Sequence, residues 1–304
     1  MKALSEDTFF RKLRLYLSMV RYGNSHNLDF AREHYAFFAR MKKDLSSFGV
    51  DLSAKRVLDV GCGKACWLTL LLSASGALAT GMDTEVARPG RASGKYLDIL
   101  LKNGPERAAR TLFWDFFYAG PYYRELARQS GFALDFKGLD IRAMNAAHME
   151  FSDGVFDLVV SHEVFEHLPD VPAAVREVRR VLKPGGLTYI YVHNYTSLSG
   201  GHHIAWKYPD TEPSKRVPPW DHLRENRFPD IPSPINRLRE RDFAKIFGEH
   251  FEILAWPAIG YEGGALLTPE IRAGLPEYSE EELLKKGFVV IARPLPGRPG
   301  KGAS

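Results

Sequence analysis

The segment around residue 61 constrains the fold of this chain more than any other part of the sequence. Residues 56–60 form a short apolar run, glycine follows at positions 61 and 63, and residues 66–72 have the apolar composition of a buried helix. This order predicts a strand, a tight turn and a helix that packs on a sheet. The start of that helix offers unpaired N–H groups to an anionic group. The pattern predicts an α/β fold that holds a small ligand, although plain strand–turn–helix packing produces the same pattern.

Acidic residues near this turn narrow the choice of ligand. Asp59 precedes Gly61 by two positions and suits a ligand that carries an ammonium group. A dinucleotide fingerprint needs a third glycine at position 66, where this chain has Cys66. A second predicted strand, over residues 78–83, ends in Asp83, whose carboxylate can accept hydrogen bonds from both hydroxyls of a ribose. Such an acid also suits a nicotinamide cofactor, but the missing glycine disfavours a nicotinamide dehydrogenase.

Further motifs follow in a fixed order. In chain order the motifs are Asp59-x-Gly61-x-Gly63, Asp83, Asn145-Ala146, Asp153-Gly154, Phe156-Asp157 and Leu182-Lys183-Pro184-Gly185-Gly186. Over roughly residues 50–195 this set resembles the class I, Rossmann-like family of S-adenosylmethionine-dependent methyltransferases. Two positions depart from the family pattern, since Ala65 replaces a glycine and Asn145 replaces an aspartate. An amide still accepts a hydrogen bond from the adenine amino group, so the second change tunes adenine recognition without abolishing it.

The resemblance implies both the fold and the cofactor. The fold expected is α/β, with a Rossmann-like, seven-stranded, mostly parallel sheet, helices on both faces, an antiparallel last strand between the fifth and sixth strands, and a helical N-terminal cap. The cofactor expected is S-adenosyl-L-methionine, with S-adenosyl-L-homocysteine as the product. The resemblance assigns the methionine end to the turn, the ribose to Asp83 and the adenine edge to residues 145 and 146. The expected cofactor-binding residues are Asp59, Gly61, Cys62, Gly63, Asp83, Asn145, Ala146, Ser161 and His162.

Apolar periodicity predicts two helices ahead of the first strand. They cover residues 4–22 and 28–48, with a polar loop over residues 22–27 between them. The chain then departs from the compact family pattern at two long insertions. The predicted organisation is a helical N-terminal cap over residues 1–50, a methyltransferase domain over residues 51–295 with inserts at about 84–137 and 195–235, and a disordered tail over residues 296–304.

The second insert is predicted to hold the methyl acceptor. It follows His193 at the end of the predicted fifth strand, and ligands of open α/β sheets bind beyond the carboxyl ends of the strands. Its aromatic and hydrogen-bonding side chains suit a sugar or a hydroxylated natural product. Transfer to a hydroxyl requires a base, and histidine is the side chain best suited to that role at neutral pH. The candidate general bases are His193, His202, His203 and His222, with Asp210 or Asp221 as orienting carboxylates.

The spacing of potential metal ligands is not diagnostic, so the sequence predicts no metal site. A divalent metal held by His202, His203 and an aspartate stays open as an alternative. The only two cysteines, Cys62 and Cys66, lie one helical turn apart and exclude a disulfide framework. We expect them to be free, buried or half-buried thiols.

Composition predicts a soluble, cytoplasmic enzyme. The chain has 304 residues with 45% hydrophobic content, no apolar run approaches the length of a membrane span, and the N-terminus carries charges where a signal peptide is apolar. A formal charge of +4 permits an anionic substrate but falls short of what nucleic-acid binding demands. The partner expected is therefore a small polar acceptor, with neither a membrane nor a nucleic acid, and the oligomeric state is undetermined.

The function predicted from these observations is methyl transfer from S-adenosylmethionine to a small polar acceptor, with O-methylation of a sugar or hydroxylated natural product expected. A non-catalytic protein that binds the same cofactor as a partner or regulator is the main alternative. Methylation of nucleic acid is weaker, because Ser161-His162-Glu163-Val164 stands where base-flipping enzymes carry an Asn-Pro-Pro-Tyr-like segment.

Overall fold

The structure is a computed structural model that describes residues 3–85, 95–228 and 235–296. Its helices are α1 Ala3–Ser47, α2 Trp67–Ala74, α3 Lys95–Phe117, α4 Ala119–Ser130, α5 Val171–Val181, α6 Glu240–Gly248, α7 Pro269–Ala273 and α8 Glu280–Leu284. Its strands are β1 Arg56–Val60, β2 Leu78–Asp83, β3 Asp140–Ala143, β4 Phe156–His162, β5 Leu182–His193, β6 Phe251–Ala255 and β7 Gly287–Pro294. Short 3₁₀ turns cover Phe165–His167, Ile204–Trp206, Asp221–Leu223 and Gly264–Leu266.

In the described part of the chain, the strands form a seven-stranded sheet in the order β3-β2-β1-β4-β5-β7-β6. The pairs β2–β3, β1–β4 and β4–β5 are parallel, whereas β7 runs antiparallel to both β5 and β6. The central strands are buried on both faces, which explains their nearly continuous apolar sequences. This arrangement confirms the predicted Rossmann-like fold, including the antiparallel last strand between the fifth and sixth.

The described residues divide into two compact units. The first contains the chain up to Lys55 together with Cys62–Ala143, and the second contains Arg56–Gly61 together with the chain from Met144 onward. In the first unit α1 packs along α4. Asn27 donates its side-chain amide to the carbonyl of Tyr118 at 3.0 Å, and the Nδ1 atom of His34 lies 2.6 Å from the Tyr122 hydroxyl. The N-terminal helix and the first insert therefore stabilise each other.

The prediction of two N-terminal helices separated by a loop at residues 22–27 is wrong, because the backbone of α1 is helical without interruption from Ala3 to Ser47. Ala31, Phe38 and Met41 are essentially inaccessible to solvent and fix the C-terminal half of the helix. Once that half is formed, each further residue adds one hydrogen bond, so a few residues of low helix propensity do not stop the helix. The polar segment over residues 22–27 is therefore part of α1.

The first insert consists of α3 and α4, which are separated at Tyr118. The turn predicted at Arg88–Arg91 lies outside the described residues, as does the predicted tail from residue 297 onward. The second insert, in the second unit, builds its own small core. This core contains the buried side chains of Leu198, Trp206, Val217 and Trp220, together with Leu275 and Leu283 from the region of α7 and α8. None of the helices in the described residues combines the length and apolar character that crossing a membrane requires.

Candidate functional site

The turn after β1 has room only for glycine at position 61. Gly61 has a φ of 78°, and a Cβ atom placed there would lie 2.3 Å from Cγ2 of Val164. Such a contact is far shorter than van der Waals distance, and a positive φ also disfavours side-chain-bearing residues. The backbone at Gly61 therefore forms a close-fitting turn against Val164.

In the first unit, Asp83 forms a hydrogen bond with the glycine loop (residues 61–65, after β1). The backbone N–H of Gly63 donates to Oδ2 of Asp83 at 3.0 Å, and the N–H of Cys62 donates to the carbonyl of Met82 at 3.0 Å. Oδ1 of Asp83 accepts from the N–H of Glu85 at 3.0 Å. A carboxylate retains further acceptor capacity after two such bonds. The structure thus places the predicted ribose-binding carboxylate directly on the loop predicted to hold the cofactor.

The cysteines and the first insert support the same loop. Cys62 and Cys66 are buried and are not joined in a disulfide, which confirms the expectation of buried thiols. They pack with Leu70, Leu139 and Ile141 in a small cluster. The Tyr123 hydroxyl, from α4, donates to the carbonyl of Ala65 at 2.9 Å. An aromatic residue of the insert therefore holds the glycine loop in place, a role that its sequence did not indicate.

The remaining expected cofactor residues lie in the second unit. Asp59 is buried in β1, and Ser161 donates its hydroxyl to the carbonyl of Val60 at 2.8 Å, so that hydroxyl stabilises the pairing of β4 with β1. Burial lowers the pKa of His162, at the end of β4, to about 4. Oδ1 of Asn145 accepts from the N–H of Ala147 at 2.9 Å, which shapes the turn predicted to face the adenine.

The structure separates the four candidate bases into two groups. The rings of His193 and His202 lie together, with centroids 4.7 Å apart, and the ring of His167 packs edge-on against His202 at 4.8 Å. Nδ1 of His203 accepts from the N–H of Ala205 at 2.9 Å and so caps a 3₁₀ turn. His222 lies 2.9 Å by its Nε2 atom from the carbonyl of Tyr195 and therefore donates to it. His203 and His222 have structural hydrogen bonds, whereas His193 and His202 belong to a polar cluster. Its other members are Glu163, Glu166, His167, Ser199 and Glu262.

Within that cluster, a hydrogen-bonded chain fixes the tautomer of His193. Ser199 donates both its hydroxyl, at 2.7 Å, and its backbone N–H, at 2.6 Å, to Oε1 of Glu262. The Ser199 oxygen also lies 2.8 Å from Nε2 of His193. Because the single hydroxyl hydrogen is used on Glu262, Nε2 of His193 must be the donor. Nδ1 of the neutral ring is therefore the unprotonated nitrogen, and it lies 3.9 Å from Oε1 of Glu163.

Two carboxylates of this cluster have opposite electrostatic environments. Burial alone would raise the pKa of Glu163, but the Lys207 ammonium and nearby histidines outweigh it, so the pKa lies well below the ordinary value. Burial raises the pKa of Glu166 well above its ordinary value, and the charge of Glu163 adds to this effect. Glu166 is 1% exposed, and neither of its oxygens has a hydrogen-bond partner among the described residues.

Burial also keeps the histidines of the cluster neutral. It lowers the pKa of His193 well below the ordinary value, with a further contribution from His202. It lowers the pKa of His202 to about 4, to which His167 contributes. Neutral imidazoles accept protons and bind metals, so this environment suits either kind of chemistry.

Sequence reasoning missed several members of this cluster. No functional role was predicted for Glu163 and Glu166, and His167 was predicted to cap or pack the following helix, although the spacing Glu-x-x-Glu-His directly after β4 is a usable signal. Ser199 lies in the insert expected to be functional but carries no motif of its own. Glu262 is 63 residues beyond Ser199 and offers no local pattern at all.

Comparison with known proteins agrees with this architecture. A family described as "Methyltransferase domain" matches residues 31–250, which is well over half of the chain. The chain is 26% identical over 145 residues to a ubiquinone biosynthesis O-methyltransferase of Histophilus somni, covering 48% of each sequence. It is 29% identical over 143 residues to the protein of the same name from Pseudomonas aeruginosa, covering 47% of this chain and 46% of the relative. The chain thus spans about half the length of the curated relatives it matches.

Solved structures show a distant likeness. An S-adenosylmethionine-dependent methyltransferase from Mesorhizobium loti has 16% identity and a TM-score of 0.47, covering 83% of this chain and 96% of the other. The PH0226 protein of Pyrococcus horikoshii has 16% identity and a TM-score of 0.45, covering 85% and 91%. The sheet order and the family match carry the assignment. This chain belongs to the class I, Rossmann-like family of S-adenosylmethionine-dependent methyltransferases.

Proposed function

We propose that this protein transfers the methyl group of S-adenosylmethionine to a hydroxyl oxygen of a small polar acceptor. The observation that carries the oxygen assignment is the buried, neutral His193, whose Nδ1 atom is kept unprotonated by the chain through Ser199 to Glu262. A hydroxyl acceptor needs such a base, whereas the cofactor methyl is already activated. The curated relatives named as O-methyltransferases support the same choice of atom.

The residues expected to hold the cofactor fit it. A Cβ atom placed at Gly63 would meet nothing within 4 Å, so the space beside this part of the turn is open to a ligand. Asp59, with Gly61, Cys62 and Gly63, is assigned the methionine end, and Asp83 is assigned the ribose hydroxyls. Asn145 and Ala146 are assigned the adenine edge, and Ser161 and His162 the wall of the pocket. When bound, the cofactor supplies a methyl group on a positively charged sulfur.

In the mechanism we propose, His193 acts as the general base. Nδ1 of His193 takes the proton of the acceptor hydroxyl as that oxygen receives the methyl group. Ser199 and Glu262 are positioning residues, because they orient the ring and stabilise the charge it acquires. Glu163, 3.9 Å from Nδ1, also stabilises that charge.

The acceptor class we propose is a sugar or a hydroxylated natural product. Two of the aromatic residues of the second insert, Trp206 and Trp220, are 2% and 0% exposed and belong to the core of the insert. Recognition is therefore assigned to the polar side chains around His193 rather than to these rings.

A methyl-transfer assay with a library of sugars and phenols tests the proposal. Once an acceptor is found, His193→Gln should lower kcat by about 100-fold or more. Ser199→Ala should lower kcat by about tenfold, because the ring is misoriented. Affinity for S-adenosylhomocysteine should remain unchanged in both variants, and His250→Gln is the matched control. Equal kcat for His193→Gln and wild type would remove His193 as the base.

The same measurements decide the main alternative. A protein that binds the cofactor tightly yet methylates none of a broad set of hydroxyl, amine and thiol acceptors would be a binding module rather than an enzyme. Methylation of an amine or a carbon centre, with no hydroxyl accepted, would retain the enzyme but overturn the oxygen assignment.

Cofactor binding is testable without any acceptor. We expect Asp83→Ala to weaken the binding of S-adenosylhomocysteine by about 10- to 100-fold in calorimetry, since hydrogen bonds to a charged carboxylate are lost. Asp83→Asn retains an oxygen acceptor for Gly63 and should show a smaller loss. Glu270→Ala, at the start of α7, is the control and should bind as the wild type does. Equal affinities for Asp83→Ala and Glu270→Ala would contradict the assignment.

A further inference from the structure

Glu166, His167 and His202 bring three potential metal-ligating groups together in the second unit. One ligand atom from each lies within 4.8 Å of the other two. Glu166 and His167 belong to the 3₁₀ turn after β4, and His202 comes from the second insert. The sequence alternative of His202, His203 and an aspartate does not describe this group, because Nδ1 of His203 is occupied by the N–H of Ala205.

The cluster contains polar atoms that the protein alone does not satisfy. Both oxygens of Glu166 and the Nε2 atom of His202 are buried without a hydrogen-bond partner in the described part of the chain. Glu166 is 1% exposed. Leaving a buried carboxylate without a hydrogen bond is costly, so such groups in native proteins have a specific explanation. A bound cation satisfies a carboxylate oxygen and an imidazole nitrogen at the same time.

The backbone holds these groups in a fixed arrangement. Asn236 donates its side-chain amide to the carbonyls of Phe165 and Leu168, at 2.7 and 3.0 Å, and its N–H to the carbonyl of Glu166 at 2.9 Å. His202 has a φ of 54°, which is uncommon for a residue with a side chain. Strain of this kind is found at functional sites, where the surrounding structure enforces it. The hydrogen bonds of Asn236 therefore fix the turn that carries Glu166 and His167.

We propose that Glu166, His167 and His202 bind a transition-metal dication, for which Zn²⁺ is the best match. Two imidazoles and one carboxylate form the ligand set of catalytic zinc sites, whereas Mg²⁺ and Ca²⁺ prefer oxygen ligands only. Ligand atoms at about 2.0–2.2 Å from a tetrahedral ion lie roughly 3.3 Å from each other. Side-chain rotations that move each ligand atom by about 1 Å would bring the three groups from within 4.8 Å to that spacing. Three protein ligands leave one position of the ion open to an oxygen of water or of a small hydroxylated ligand.

The surrounding charges are compatible with a cation. Lys207 contributes a positive charge, and the carboxylate of Glu163 opposes it within reach of the same histidines. The ring of His202 contacts the rings of His193 and His167, so three imidazoles lie together at the site. This proposal does not depend on methyl transfer, since the ion binds whether or not the cofactor is present.

The test uses the full chain, purified without a histidine tag, stripped by a chelator and titrated with ZnCl₂ in a calorimeter, without cofactor or acceptor. We expect one Zn²⁺ per chain, a rise in Tm on binding, and visible d–d absorption when Co²⁺ replaces Zn²⁺. Glu166→Gln and His202→Gln should each lower the Zn²⁺ affinity by about 100-fold or more, and His250→Gln should leave it unchanged.

Folding of the variants is checked by circular dichroism of the metal-free proteins. Glu166→Gln conserves the shape of the side chain, and His167→Gln decides the matter if one of the other variants does not fold. The proposal is overturned if the wild type binds neither Zn²⁺ nor Co²⁺ at micromolar concentration. It is overturned equally if the folded Glu166→Gln or His202→Gln variant keeps wild-type affinity, or if His250→Gln lowers the affinity as much as they do.

Discussion

At the scale of single residues, Gly61 makes the sharpest prediction. Gly61→Ala should destabilise the fold by about 2–4 kcal/mol, because the new Cβ atom combines strain at positive φ with an overlap in packed surroundings. The overlap is with both γ-carbons of Val164, at 2.3 and 2.7 Å. The measurement is the free energy of unfolding from urea denaturation.

Gly63 offers a matched control two residues away. It also has a positive φ, of 60°, but a Cβ atom there would meet nothing within 4 Å. Gly63→Ala should therefore cost only the backbone strain, about 1 kcal/mol. If the two alanine variants were equally stable, the close approach of Val164 would not be the reason for glycine at position 61.

Some residues of the candidate site could be predicted from the sequence, and others could not. The glycines and Asp83 were predictable, because a strand, a turn and the end of the next strand place them in the same region of the fold. Glu262 was not, because its role depends on a contact with Ser199 across 63 residues of chain. His222 was predicted as a candidate base, but the structure gives it a hydrogen bond to the Tyr195 carbonyl, which no local pattern could reveal.

At the scale of secondary-structure elements, the N-terminus of α8 gives a second test. Ser279 accepts from the N–H of Glu282 at 3.1 Å, and Glu282 accepts from the N–H of Ser279 at 2.9 Å, which completes a capping box. Ser279→Ala should lower the free energy of unfolding by about 1 kcal/mol, whereas Ser279→Gly should cost only a few tenths. Equilibrium denaturation with an unchanged m-value checks this. Equal loss in both variants would mean that the serine hydroxyl is not the stabilising group.

The inserts show where element-level prediction failed. Aromatic residues of the second insert were expected to contact the acceptor, but Trp206 and Trp220 fill a local core with Leu275 and Leu283. A long segment that follows the end of a strand needs apolar contacts of its own, because the entropy lost in ordering its backbone has to be offset. Composition alone does not distinguish an aromatic residue that binds a ligand from one that builds such a core.

At the scale of the whole molecule, the strand order was predictable because the motifs indicate where strands begin or end as well as which residues bind the cofactor. Each motif stands at one end of a strand, and right-handed crossovers then leave few possible topologies. The long inserts changed none of the pairings of β4, β5 and β7. Insertions at strand ends lengthen loops at small cost in chain entropy, whereas the pairing of central strands is fixed by burial on both faces.

Stability of the whole molecule should depend on pH through its buried histidines. Burial lowers the pKa of His222 to about 4, against smaller opposing effects of the Tyr195 carbonyl and Asp221, while Arg237 lowers it further. Well above pH 6.5, the ordinary pKa of a histidine in the unfolded chain, the ring is neutral in both states, so it contributes no pH dependence. As the pH falls from 6.5 towards 4, the unfolded chain binds a proton that the folded chain does not, so stability is lost. The loss is at most about 1.4 kcal/mol per pH unit for each such histidine.

Urea denaturation at about pH 7.5, 6.0 and 5.0 measures this effect. The wild type should lose less stability below about pH 6.5 than its buried histidines alone would give, because the folded chain binds a proton at Glu166 before the unfolded chain does. Glu177 and Glu282, whose pKa values are lowered, add to the loss of stability towards pH 5.0. His222→Gln keeps an N–H donor for the Tyr195 carbonyl but cannot titrate, so its stability should fall less steeply with decreasing pH. A variant with the same slope as the wild type would show that His222 is protonated equally in the folded and unfolded chains.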